Sequence, residues 1–127
     1  MKIVLQPEGS GLCGQACVAM AAGVSLRRAI KAVGHNRGTD TKDLVFALHK
    51  LGVMCASRLV RVSRKRPNIP PRAIVHINVT NEQRDDSHWM LNWDGKIIDP
   101  GGRWPDAYKK WSILSYLEIL PPEETVC

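Results

Sequence analysis

Disulfide frameworks, metal-ligand clusters, internal repeats, linkers and membrane-length apolar runs are all missing from this chain, and each absence narrows what it can be. Its four cysteines, at positions 13, 17, 55 and 127, are too few and too unevenly spaced for a disulfide scaffold. The histidines at 35, 49, 76 and 88 are scattered singly, and no second Cys or His pair stands at ligand spacing from Cys13 and Cys17. A structural zinc site needs a full tetrahedral ligand set, so neither a metal nor any other cofactor is expected. No apolar stretch approaches the roughly 20 residues that a membrane span requires. The opening Met-Lys-Ile-Val-Leu gives way at once to Gln-Pro-Glu, too short an apolar run for a signal peptide, and the expectation is a cytoplasmic protein. Aromatic residues are only 6 % of the chain and are not interleaved with its main basic cluster, so no stacking platform for bases is visible and nucleic acid is not the expected partner.

What is present suits one ordinary domain. A chain of 127 residues with 44 % apolar and 24 % charged residues can bury a single core unaided. The net charge of +6 is concentrated in Arg58, Arg61, Arg64, Lys65 and Arg66, between an expected strand and a proline-rich turn. Such a cluster suits an acidic partner or an anionic surface. It equally suits a solvated strand edge whose charges discourage edge-to-edge pairing. Arg61, Arg64 and Arg66 are therefore candidate partner or substrate contacts.

The first half reads as helical. Pro7-Glu-Gly-Ser-Gly is a loop by its turn chemistry. From Cys13 the run Cys-Gly-Gln-Ala-Cys-Val-Ala-Met-Ala-Ala is small and apolar nearly all round, the pattern of a buried central helix ending near Gly23. Ser25 caps a second helix over residues 26–33, closed by Gly34. Thr39 or Asp40 caps a third, with Leu44, Val45, Leu48 and Leu51 on one face and Gly52 at its end. The second half reads as strands over residues 53–62, 73–79, 87–93, 96–98 and 113–120. Residues 81–87 form a polar loop, and Asp94-Gly95 is a tight hairpin turn. Helices first and strands later predict an α+β fold, with the helices packed on a C-terminal antiparallel sheet.

Cys13 stands where a glycine-containing loop hands over to a helix. A free thiol is mostly protonated at neutral pH, and a helix N-terminus favours the thiolate. Gly11 and Gly14 leave room for a substrate carbonyl. Gln6 and, in reserve, Gln15 are side-chain amides that could join the Cys13 backbone N–H in stabilising an oxyanion. Cys17, mid-helix in apolar company, reads as packing. His88 begins an apolar strand and is the candidate general base and acid. Counting back from the Asp94-Gly95 turn brings Asp99 beside it, within reach for an orienting hydrogen bond. His76 is the rival imidazole, and Asn92 and Asp94 rival Asp99. Trp89 and Trp93 read as core, whereas Trp104 either walls a substrate groove or covers the edge of the core.

Taken in order, Gln6, Cys13-Gly14-x-Ala16, Ser25-Leu26, the segment from Thr39 to Gly52, the stretch Ile69-Pro-Pro-Arg-Ala-Ile-Val-His-Ile, His88-Trp-Met-Leu and Asp99-Pro100 resemble the papain-like cysteine peptidases. The likeness is greatest to the C39 and C39-like branch, and it covers nearly the whole chain. It implies a papain-like fold, with Cys13 as nucleophile, His88 as general base and acid, Asp99 as orienting residue and Gln6 as oxyanion donor. The implied activity is hydrolysis of a peptide or isopeptide bond through an acyl-thioester. The substrate would be an extended protein segment, with small residues beside the scissile bond. A related acyl-transfer enzyme, such as a glutamine deamidase or transglutaminase-like protein, could use the same triad. So, from another class, could a non-catalytic binding or inhibitory module keep the fold and grip its partner through the basic edge.

Overall fold

A computed structural model describes residues 1–8, 10–63, 68–81, 84–102 and 110–121, with side chains left aside for residues 79–81, 84–87, 110 and 111. Among the described residues three helices, α1 (Cys13–Ala22), α2 (Leu26–Val33) and α3 (Thr41–Lys50), precede five strands. These are β1 (Val60–Arg61), β2 (Arg72–Asn81), β3 (Arg84–Trp93), β4 (Lys96–Ile98) and β5 (Lys110–Glu118). The strands form one antiparallel sheet in the order β1-β5-β2-β3-β4. The α+β class expected from the sequence is the architecture observed.

Local chemistry sets the helix ends. The small, uniformly apolar α1 is buried from Gly14 to Met20, and Gly23 stops it in the left-handed region at φ 68°. Ser25 caps α2 by accepting the Arg28 N–H, and Gly34, at φ 95°, ends it. Of the two expected caps for α3, Asp40 is the one used: its carboxylate accepts the Asp43 N–H while the Asp43 carboxylate accepts the Asp40 N–H.

The sheet departs from expectation in three places, the simplest being that β5 starts at Lys110 and ends at Glu118, ahead of the expected 113–120. Asn81 and Arg84–Ser87 belong to strands and not to the expected loop, because β2 and β3 pair without interruption from Arg72↔Trp93 to Asn81↔Arg84. The buried pairs Ile74↔Leu91 and Val75↔Met90 fix that register, and the polar residues beyond them simply continue the ladder. The strand expected over 53–62 reduces to a Cys55↔Ile119 bridge and the two-residue β1. The chain meets β5 at both ends of this segment, through Ala56 N–H to Glu118 O and Val62 N–H to Leu114 O, and bends away between them. The β3–β4 hairpin is as expected: Asp94 and Gly95 both have positive φ (52° and 86°), the signature of the primed turn that matches strand twist.

One apolar core fills the space between helices and sheet, joining Cys17, Val18 and Met20 of α1 and Leu44 and Leu48 of α3 to Ile74, Trp89, Leu91 and Leu117. Val75, Ile77 and Met90 form a second cluster on the other side of the sheet. Among the described residues, no helix is long and apolar enough to cross a membrane.

Candidate active site

Cys13 is the first residue of α1, and the side chain of the preceding Leu12 offers no cap. The first intrahelical bond closes between Ala16 N–H and Leu12 O, so the N–H groups of Cys13, Gly14 and Gln15 are the orphan donors of the helix end. No acidic side chain occupies the first turn to compete for them. Cys13, a half-buried residue, therefore stands at the positive end of the helix dipole. Gly14 is required by contact: a Cβ there would overlap Thr39 Oγ1 and come within 3.0 Å of Thr39 Cβ and 3.2 Å of Leu44 Cδ2. Gly11 faces Gly38, and a Cβ on Gly11 would sit at an ordinary 3.5 Å from Gly38 N.

His88 and Asp99 reach each other through the hairpin. The ladder runs Trp93↔Lys96, Asn92↔Ile97 and Leu91↔Ile98, and β4 ends one residue before Asp99. The chain then turns sharply: Gly102 N–H bonds Asp99 O at 2.9 Å, and Gly101 N–H bonds Asp99 Oδ1 at 2.9 Å. This turn aims Asp99 Oδ1 at His88 Nε2, at 2.7 Å. The Asp99 side chain is 1 % exposed and that of His88 13 %, so their interaction is sheltered from water.

Cys13 lies near enough to the His88 ring to act on its charge. Burial alone would push the imidazole toward its neutral form, but the hydrogen bond to Asp99 and the attraction of Cys13 and Asp99 prevail and raise its pKa to about 9. The fold thus brings Cys13, His88 and Asp99 together, with an imidazole able to hold a proton between a buried carboxylate and a thiol.

Gln6 lies close to this chain. Its backbone N–H bonds Pro100 O at 2.8 Å, which ties the N-terminal arm to the residue after Asp99. One side-chain amide hydrogen goes to Ser10 O at 2.8 Å, and the amide oxygen is buried without a partner. Gln15 must be reassigned. It is fully buried, and its amide nitrogen donates to His35 O at 3.2 Å and Arg37 O at 2.7 Å. Two positions along a helix is a rotation of about 200°, so Gln15 faces the α2–α3 connection, away from the side that Cys13 presents. It anchors that connection and has no donor left for an oxyanion.

The rival residues have other partners. His76 packs its ring on Trp89, with centroids 4.7 Å apart, and burial lowers its pKa. His35 bonds Asp43 at 3.2 Å, and His49 is exposed. Asn92 donates to Pro70 O, and the Asp94 carboxylate accepts from Arg72 on the neighbouring strand β2. Cys17 is buried in the core, and burial, followed by the nearby Cys13 and Asp99, raises its thiol pKa well above 9.0. Trp89 is core as expected, and Trp93 packs against that core under the Arg72 guanidinium. Arg61 is exposed on β1, three strands from β3, or about 14 Å away by strand spacing, so the fold does not bring it to Cys13. Trp104, Arg64 and Arg66 lie outside the described residues. Among the described residues, no group of three or more His, Cys, Asp or Glu side chains is placed to hold a metal ion.

Sequence reasoning passed over Thr39 in any role but a cap. Its carbonyl accepts the Trp89 indole N–H at 3.2 Å, and its side chain fills the space beside Gly14. No local pattern announces either contact. No model of a known protein family matches the chain, and no curated protein sequence matches it either.

Proposed function

We propose that the protein is a cysteine-type peptidase with a papain-like fold of the C39-like kind, which hydrolyses a peptide or isopeptide bond in a protein substrate in the cytoplasm. The observation that carries this reading is the buried His88–Asp99 hydrogen bond, with Cys13 at the head of α1 near enough to influence the imidazole. In the reaction, the Cys13 thiolate attacks the substrate carbonyl carbon, and the carbonyl π electrons move onto oxygen. The orphan Cys13 N–H and the remaining Gln6 amide hydrogen are the donors for that oxyanion. The tetrahedral adduct collapses to a thioester as the C–N bond breaks, and His88 gives its proton to the departing amine. A water molecule then attacks the thioester, its proton passing to His88, and the acid is released with regeneration of the thiolate–imidazolium pair. Asp99 stabilises the imidazolium and fixes the ring. The facing backbones of Gly11, two residues before Cys13, and Gly38 carry no side chains, which suits an extended substrate with small residues beside the scissile bond.

Alkylation tests the reading directly. At pH 6 an isolated thiol is almost wholly protonated and reacts slowly with iodoacetamide. Cys13 should label fast at that pH, Cys17 and Cys55 should stay unlabelled in the folded protein, and His88→Ala should abolish the fast reaction. Cys13 labelling at the same rate with and without His88 would overturn the assignment. A Cys13→Ser variant can then be used to trap the protein substrate.

A further inference from the structure

Residues 34–40, between α2 and α3, touch both halves of the candidate site without supplying a reacting atom. On one side they hold the helix of the nucleophile. Gln15 spends its amide hydrogens on His35 O and Arg37 O, and Thr39 packs into the gap left by the missing Cβ of Gly14. On the other side Thr39 O accepts the indole N–H of Trp89 at 3.2 Å, and Trp89 is the residue next to His88. The two residues after Cys13 and the one after His88 are thus pinned to a single short segment. That segment is itself braced, by His35 on Asp43 and by the reciprocal Asp40–Asp43 cap. The His76 ring, packed on Trp89, steadies the indole from the sheet side.

Cys13 and His88 come from different layers of the fold, a helix and a strand, so their separation depends on what joins those layers. Thr39 joins them within one residue: its side chain meets the helix and its carbonyl meets the strand. We propose that residues 34–40 are a positioning clamp that sets the distance between Cys13 and His88, with Thr39 as its pivot and Gln15 and Trp89 as the positioning residues that grip it. The proposal rests on the reading of Cys13 and His88 as the reacting pair. Displacements of about 1 Å suffice to disable such a pair.

Two variants remove the grips while keeping bulk. Trp89→Phe deletes the indole N–H but leaves a ring against His76, and Gln15→Met deletes the amide but keeps its length. For each, the rate of Cys13 alkylation at pH 6, the NMR titration of His88 and the thermal unfolding midpoint are measured beside wild type, Cys13→Ala and His88→Ala. Both variants should unfold cooperatively. Cys13 labelling should fall roughly tenfold or more, and the His88 midpoint should drop from about 9 toward its value in Cys13→Ala. Unchanged labelling and an unchanged His88 midpoint in the folded variants would overturn the clamp. Failure of both variants to fold would overturn it too, since the segment would then be holding the fold and not the pair. A failure of the peptidase reading looks different: wild-type Cys13 would label no faster than in His88→Ala. The His88 midpoint would still report on the clamp, because it senses its neighbours without any reaction.

Discussion

A single oxygen of Asp99 both orients the imidazole and closes the turn that aims it, since Oδ1 accepts from His88 Nε2 and from Gly101 N. Asp99→Asn separates these duties, because an amide oxygen can still accept both bonds but carries no charge. The variant should fold, its His88 should titrate well below the wild-type value of about 9, and its activity should fall on the order of a hundredfold or more. NMR titration checks the first effect and single-turnover kinetics the second; an unmoved His88 midpoint would remove Asp99 from its role. The glycines offer a paired test. Gly14→Ala drives a methyl into Thr39 and Leu44, and should cost about 1–3 kcal/mol in urea denaturation. Gly11→Ala meets Gly38 at van der Waals distance and should be close to neutral. The pairing of His88 with Asp99 was legible in the sequence because hairpin arithmetic is local. The true partners of Gln15 were not, because they depend on which loop comes to lie against the helix.

Among the elements, legibility follows how local the cause is. Ser25, Gly34, Asp40 and the Asp94-Gly95 turn act within a few residues of themselves, and each ends or turns its element as its chemistry dictates. The extension of β3 through Arg84–Ser87 and the breakdown of residues 53–62 into a bridge and a two-residue strand are set by partners far along the chain. No residue pattern inside those segments could reveal this. Asp40 deserves its own test because its cap both starts α3 and braces the connection behind Thr39. Asp40→Ala should lower stability by about 1 kcal/mol, measured by urea denaturation, and Asp40→Asn should recover most of the loss. An alanine variant as stable as wild type would show that packing alone holds the end of α3.

For the molecule as a whole, the buried titratable groups predict how stability varies with pH. His88 is raised in the folded state to about 9 from 6.5, so its contribution is complete below pH 6.5 and is lost as the pH climbs through 9. With the side chain mostly buried, that contribution is about 3 kcal/mol. Cys17 and Cys55 act in the same sense at higher pH. Burial keeps both thiols protonated in the folded protein, while the unfolded chain ionises them near 9.0, so folding weakens further above that value. His76 acts from the other side: burial lowers its pKa below 6.5, the unfolded state takes up the proton first, and stability drains away as the pH falls beneath 6.5. Urea unfolding from pH 5 to 10 should therefore give a maximum close to pH 6.5. In His88→Ala the decline between 6.5 and 9 should flatten while the losses at either end persist. Were the wild-type curve level across that interval, the hydrogen-bonded imidazolium at the centre of the site would have to be abandoned, because no folded protein can bind a proton more tightly than its unfolded chain without losing stability when the proton leaves.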